Sequence, residues 1–108
     1  KTKKELTAEL KALKESNPGQ IFKLTTYIDE DEKKERTLFL KKPSRLTRTA
    51  GEKQAQANTW KGLEVFLRGM YIGGDDLEEI FKNDDALMTA GEQLAEIIKV
   101  KSGNVERV

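Results

Sequence analysis

Eight consecutive charged residues, Asp29-Glu30-Asp31-Glu32-Lys33-Lys34-Glu35-Arg36, separate two short runs of strand-forming residues. Ionised side chains lose their hydration in an apolar interior, so this stretch cannot enter a core and reads as a solvated connection. In the flanking runs, Phe22, Leu24 and Ile28 share one side at period two, as do Leu38 and Leu40 within Thr37 to Lys41. That alternation predicts strands over about 21–28 and 37–41, joined as a β-hairpin. A lone hairpin is marginal in water, so helices must cover its apolar face.

The rest of the chain supplies them. Thr2 followed by Glu5 has the form of a capping box and starts a helix from about Lys3 to Glu15. Its stripe of Leu6, Leu10 and Leu13 is narrow, so this first helix is expected to be mobile. Asn17, Pro18 and Gly19 end it. Pro43 stops the second strand, and Ser44 caps a polar helix running from Arg45 toward Ala57, weakened by Gly51. Trp60, Leu63, Phe66, Leu67 and Met70 make a broad apolar stripe, the mark of a central core helix that Gly73-Gly74 terminates. Leu77, Ile80 and Phe81 suit a short turn of helix after Asp75-Asp76. Asn83, Asp84 or Asp85 then caps a last helix to about Lys101, with Leu87, Gly91, Leu94 and Ile98 on one line. Gly91 within that line predicts close packing of another helix.

The expected class is therefore α+β: an N-terminal helix, a β-hairpin and three to four packed helices. With 108 residues the chain fits one domain, read as a helix or arm over 1–19, a core over 20–101 and a flexible tail over 102–108.

Function classes are narrowed mostly by what the composition lacks. There is no cysteine and no histidine, which removes disulfides, thiolate metal sites and the commonest general base. No catalysis and no cofactor are expected. Twenty basic against nineteen acidic residues leave a net charge of +1, too little for whole-molecule steering onto nucleic acid or lipid. No apolar run approaches the ~20 residues that span a bilayer, and a cytoplasmic protein with no membrane partner is expected.

The acidic runs at Asp29 to Glu32, Asp75-Asp76 and Asp84-Asp85 lack the spacing of a calcium loop and suit turns and helix starts. Gly73-Gly74 matches no phosphate-loop pattern. Lys41, Lys42, Arg45, Arg48 and Lys53 form a basic cluster that could contact a phosphate backbone, although no aromatic residues are interleaved with it. Gly62, Phe66 and Gly69 lie along one helical strip, where two glycines suit the close approach of another backbone, from this chain or from a partner.

The segment Leu38-Phe39-Leu40-Lys41-Lys42-Pro43-Ser44-Arg45, the aromatic helix ending in Tyr71-Ile72-Gly73-Gly74-Asp75, and Asp84-Asp85 with Ala90-Gly91-Glu92-Gln93-Leu94-Ala95-Glu96-Ile97-Ile98 together carry a resemblance. Over about residues 21 to 101 the chain resembles small tail assembly chaperones of long-tailed phages and prophages. Relatives in that family commonly have Cys-Trp where this chain has Met70-Tyr71. The resemblance implies a protein of the bacterial host cytoplasm that coats the tape measure protein before tail-tube subunits polymerise around it. It implies the tape measure protein, and the tail tube protein in competition with it, as partners, with self-association as a further option. Contacts would then fall on Gly62, Phe66, Gly69, Tyr71, Gly73, Gly74 and Asp75 and on the exposed sides of the last helix. The alternatives are a small nucleic-acid-binding regulator using the 41–53 basic cluster, and a structural tail subunit.

Overall fold

A computed structural model describes residues 2–17, 19–29 and 34–99. The element order is α1 (Lys3–Ser16), β1 (Ile21–Asp29), β2 (Lys34–Lys41), α2 (Arg45–Ala57), α3 (Thr59–Met70), β3 (Tyr71–Gly74), α4 (Leu77–Phe81) and α5 (Asp84–Lys99). The class is α+β, as the periodicities predict. No helix among the described residues is long and apolar enough to cross a membrane.

The strands form one antiparallel sheet in the order β1-β2-β3, so the expected hairpin gains a third strand. Phe39 pairs with Gly73 and Leu38 with Gly74. The Gly-Gly pair is thus not a simple helix stop: α3 ends at Met70 and the chain turns at once into β3. Gly74 sits at φ 105°, and a Cβ there would lie 2.4 Å from the Thr37 carbonyl oxygen, so glycine alone lets this strand close on β2. Asp75 fixes the strand end. Its amide donates to the Thr37 carbonyl (2.7 Å), its buried carboxylate accepts from the Thr37 amide (2.8 Å), and Tyr71 donates its hydroxyl to the Asp75 carbonyl (3.0 Å).

The hairpin strands also run further into the charged segment than expected. Thr26 pairs with Arg36, Tyr27 with Glu35 and Asp29 with Lys34 across a bulge, and residues 30–33 lie outside the described set. Backbone pairing proceeds because these side chains reach solvent or a charged partner at the surface; Arg36, for one, pairs with Glu79 of α4.

One face of the sheet carries the core. Leu24, Leu38 and Leu40 pack with Leu67, Met70, Leu77, Ile80, Leu87 and Leu94, and each such buried side chain contributes about 1.5–3 kcal/mol. Trp60 departs from expectation: it is 42% exposed. It lies in the first turn of α3, roughly a quarter-turn from the midline of Phe66, Leu67 and Met70 at 3.6 residues per turn.

Helix α5 lies along the outer edge of β1 and satisfies its backbone. The Thr25 amide donates to the Gln93 side-chain oxygen (3.2 Å), and the Gln93 amide group donates back to the Thr25 carbonyl. Asn83 caps α5 by accepting from the Ala86 amide (3.0 Å) and donates to the Ile28 carbonyl (2.7 Å), while Thr26 donates to the Ala86 carbonyl (2.8 Å). An edge strand covered this way offers little to a foreign strand.

On the other face lies α1, capped by Thr2, whose hydroxyl accepts from the Glu5 amide (3.2 Å). The expected tail over 102–108 falls outside the described residues, as do the last two residues expected for α5, 100 and 101.

Candidate functional site: an apolar groove between the α2–α3 hairpin and α5

Helices α2 and α3 are joined by Asn58 alone, which ends one and caps the other by accepting from the Trp60 amide (2.9 Å). So short a link forces the two helices side by side, and small residues let them approach. A Cβ on Gly62 would stand 2.5 Å from the Ala55 Cβ, one on Gly69 would meet the Thr47 side chain at 2.4 Å, and one on Gly51 would strike the Phe66 ring at 2.5 Å. The backbone that the glycine strip of α3 admits is therefore that of α2 in the same chain. Gly51, expected only to weaken α2, is buried and makes room for Phe66.

This hairpin meets α5 along a seam where Gly91 receives the Leu63 side chain, with a Cβ position 2.9 Å from Leu63 Cδ1. The close approach expected at Gly91 is thus made by α3. Beside that contact an open groove of about 340 Å³ remains, walled by Ala55, Gly62, Leu63, Phe66, Leu94 and Ile98. Glu52 and Thr59 supply polar atoms at its rim, and Ala95 on α5 is exposed within it. The lining is otherwise apolar, a chemistry suited to the apolar side of a partner segment.

The sequence-derived contact residues divide between two regions. Gly62 and Phe66 line the groove, whereas Gly69 is packed on α2. Tyr71, Gly73, Gly74 and Asp75 lie in and after β3, where Gly74 and Asp75 hold the strand and Gly73 lies under α1. Ala55, Leu63, Leu94, Ala95 and Ile98 enter the groove without having been singled out as contacts one by one. Gly91 followed one turn later by Ala95 was the legible signal, since two small residues on an apolar line leave a furrow along a helix.

Lys41, Lys42, Arg45 and Lys53 are exposed at the end of β2 and on α2, and Arg48 faces Glu52 at 3.9 Å. Among the described residues no group of His, Cys, Asp or Glu is arranged to hold a metal ion. Elsewhere Arg68 bridges α3 to α4, bonding Glu78 (2.7 Å), reaching Glu64 (3.5 Å) and lying 4.6 Å over the Phe81 ring. The Glu78 hydrogen bond raises the Arg68 pKa, with desolvation opposing it.

No family model, curated protein or solved structure matches this chain.

Proposed function

We infer that this domain is a non-catalytic protein-binding module whose groove between α2, α3 and α5 takes the apolar face of a helical partner. The observation that carries the reading is the groove itself: an open furrow of about 340 Å³ with exposed Ala55 and Ala95 on its two walls and the partly exposed Leu63 and Ile98 along it, floored by the buried Phe66 and Leu94. Small residues admit a backbone closely and the larger side chains supply apolar contact, the two requirements of helix-in-groove recognition. Joined to the resemblance carried by the Gly73-Gly74-Asp75 and Asp84-Asp85 segments, the reading becomes specific. The partner is the tape measure protein, whose long apolar helical faces need cover in the host cytoplasm until tail-tube subunits displace the bound copies.

The test is co-purification of this protein with fragments of the tape measure protein encoded beside its gene, with stoichiometry read by light scattering. Several copies per fragment, with improved fragment solubility, are expected. Ala95→Glu, which places a carboxylate in the groove at an exposed position, should abolish the complex while leaving the fold intact. Failure to form a complex rejects the proposal. Salt-sensitive duplex DNA binding that depends on Arg45 would instead favour the regulator, and retention in finished particles a structural subunit.

A further inference from the structure

Helix α1 is seated on the outer face of the sheet by its second half and leaves a space beside its first. Glu9 accepts a hydrogen bond from the Gly74 amide (3.0 Å), and Leu13 presses on Gly73, where a Cβ would lie 2.9 Å from Leu13 Cδ1. These contacts hold the helix on β3. Toward its start a half-open cleft of about 390 Å³ remains between helix and sheet, with Leu6 and Leu10 on one side and Phe39 on the other. Close-packed interiors leave few voids larger than a water molecule, whereas small-molecule sites occupy roughly 300–1,000 Å³. By its size this cleft belongs with the second group.

Its lining is graded from polar to apolar. Lys3, Lys23 and Glu35 are exposed and sit at the mouth, Leu6 and Leu10 are half-buried, and Phe39 at the floor is only 1% exposed. Neither lysine forms an ion pair with another described residue. Two ammonium groups against one carboxylate leave the mouth electropositive, with an apolar interior behind it. That sequence of surfaces matches a molecule with a singly charged anionic head and an apolar body; the doubly charged head of a phosphate would be left half neutralised.

We propose that the cleft under the first half of α1 is a binding site for a small amphipathic carboxylate, its aliphatic body against Leu6, Leu10 and Phe39 and its carboxylate beside Lys3 and Lys23. The ligand fills space that α1 already leaves, so the helix stays in place and its Glu9 and Leu13 contacts are kept. The site is on the far side of the sheet from the α2–α3–α5 groove and does not depend on what the groove binds.

The probe is sodium decanoate, titrated into the isotope-labelled full chain and followed by amide shifts, with decyltrimethylammonium as the cation of equal chain length. Decanoate should move the amides of Leu10, Thr37 and Phe39 and bind about tenfold more tightly than the cation, because the mouth attracts one head group and repels the other. Lys23→Gln, an exposed change on β1, should weaken decanoate about two- to fivefold. Leu10→Trp, which fills the cleft from the helix side, should abolish the decanoate shifts; if that variant does not fold, Lys23→Gln decides. The proposal is overturned if decanoate does not bind, if the cation binds equally well, if Lys23→Gln leaves the affinity unchanged, or if the shifts fall on Gly62, Gly91 and Ala95, which would put the amphiphile in the groove instead.

Discussion

Helices α5 and α1 flank the same sheet from different sides and carry similar stripes, Leu87, Gly91, Leu94 and Ile98 in one and Leu6, Leu10 and Leu13 in the other. Their burial differs sharply. Ala86, Leu87, Ala90 and Leu94 of α5 are buried, and Asn83, Ala86 and Gln93 tie it to β1 by hydrogen bonds. The described residues of α1 are half-buried at most, and it bonds the sheet through Glu9. Apolar spacing in a sequence predicts that a helix forms and which side turns inward; how deeply that side docks depends on the surface it meets. For α5 that surface belongs to the sheet's core face, with Leu24, Leu38 and Leu40, whereas α1 meets Phe39 among Lys23, Glu35 and Thr37.

Three substitutions bear on this contrast. The largest effect is expected from Leu94→Ala, about 2–5 kcal/mol of lost stability by urea unfolding, because a fully enclosed side chain leaves a cavity when truncated. A loss no larger than that of Leu10→Ala would erase the distinction between the two helices. Next, Gln93→Met should cost about 1–3 kcal/mol, since the Thr25 amide and carbonyl lose their partner while the apolar volume is kept. It should also make the protein associate at high concentration through the bared β1 edge, visible by light scattering. Unchanged stability would mean that α5 is held by packing alone. The smallest effect belongs to Thr2→Ala, about 0.5–1 kcal/mol of helix stability from the lost cap. It should appear as faster exchange of α1 amides with no shift in the urea midpoint, and a shifted midpoint would place α1 in the same cooperative unit as α5.

Some of the candidate site was legible in the residues and some was not. Phe66 and Gly62 were singled out by their strip on α3, and Gly91 by its place in an apolar line, because glycine inside a helical stripe costs stability and marks a close contact. What each glycine touches was not legible. Gly62 and Gly69 admit α2 and Gly91 admits Leu63, contacts spanning from 7 to 28 positions along the chain. Strand β3 went unread for a related reason: Tyr71-Ile72-Gly73-Gly74 is four residues long with two glycines, and its pairing with β2 depends on partners more than 30 positions earlier. The three- and four-residue spacing places Trp60 on the apolar stripe of α3, but at the start of the helix it lies at the edge of that stripe and is 42% exposed.

By itself the sequence determined the local choices: the alternation that makes β1 and β2, the helical periods of α3 and α5, the caps at Thr2 and Ser44, and the want of cysteine and histidine. Each of these is fixed by residues within a turn or two of one another, where sterics and backbone hydrogen bonding act directly. The tertiary structure alone decided that β3 joins the sheet, that Asp75 locks onto Thr37, that the α2–α3 hairpin leaves a furrow beside α5, and that α1 covers Phe39 without filling the space beneath it. Those features depend on which surfaces meet and how well their shapes agree, and shape agreement between distant segments leaves no period in a sequence.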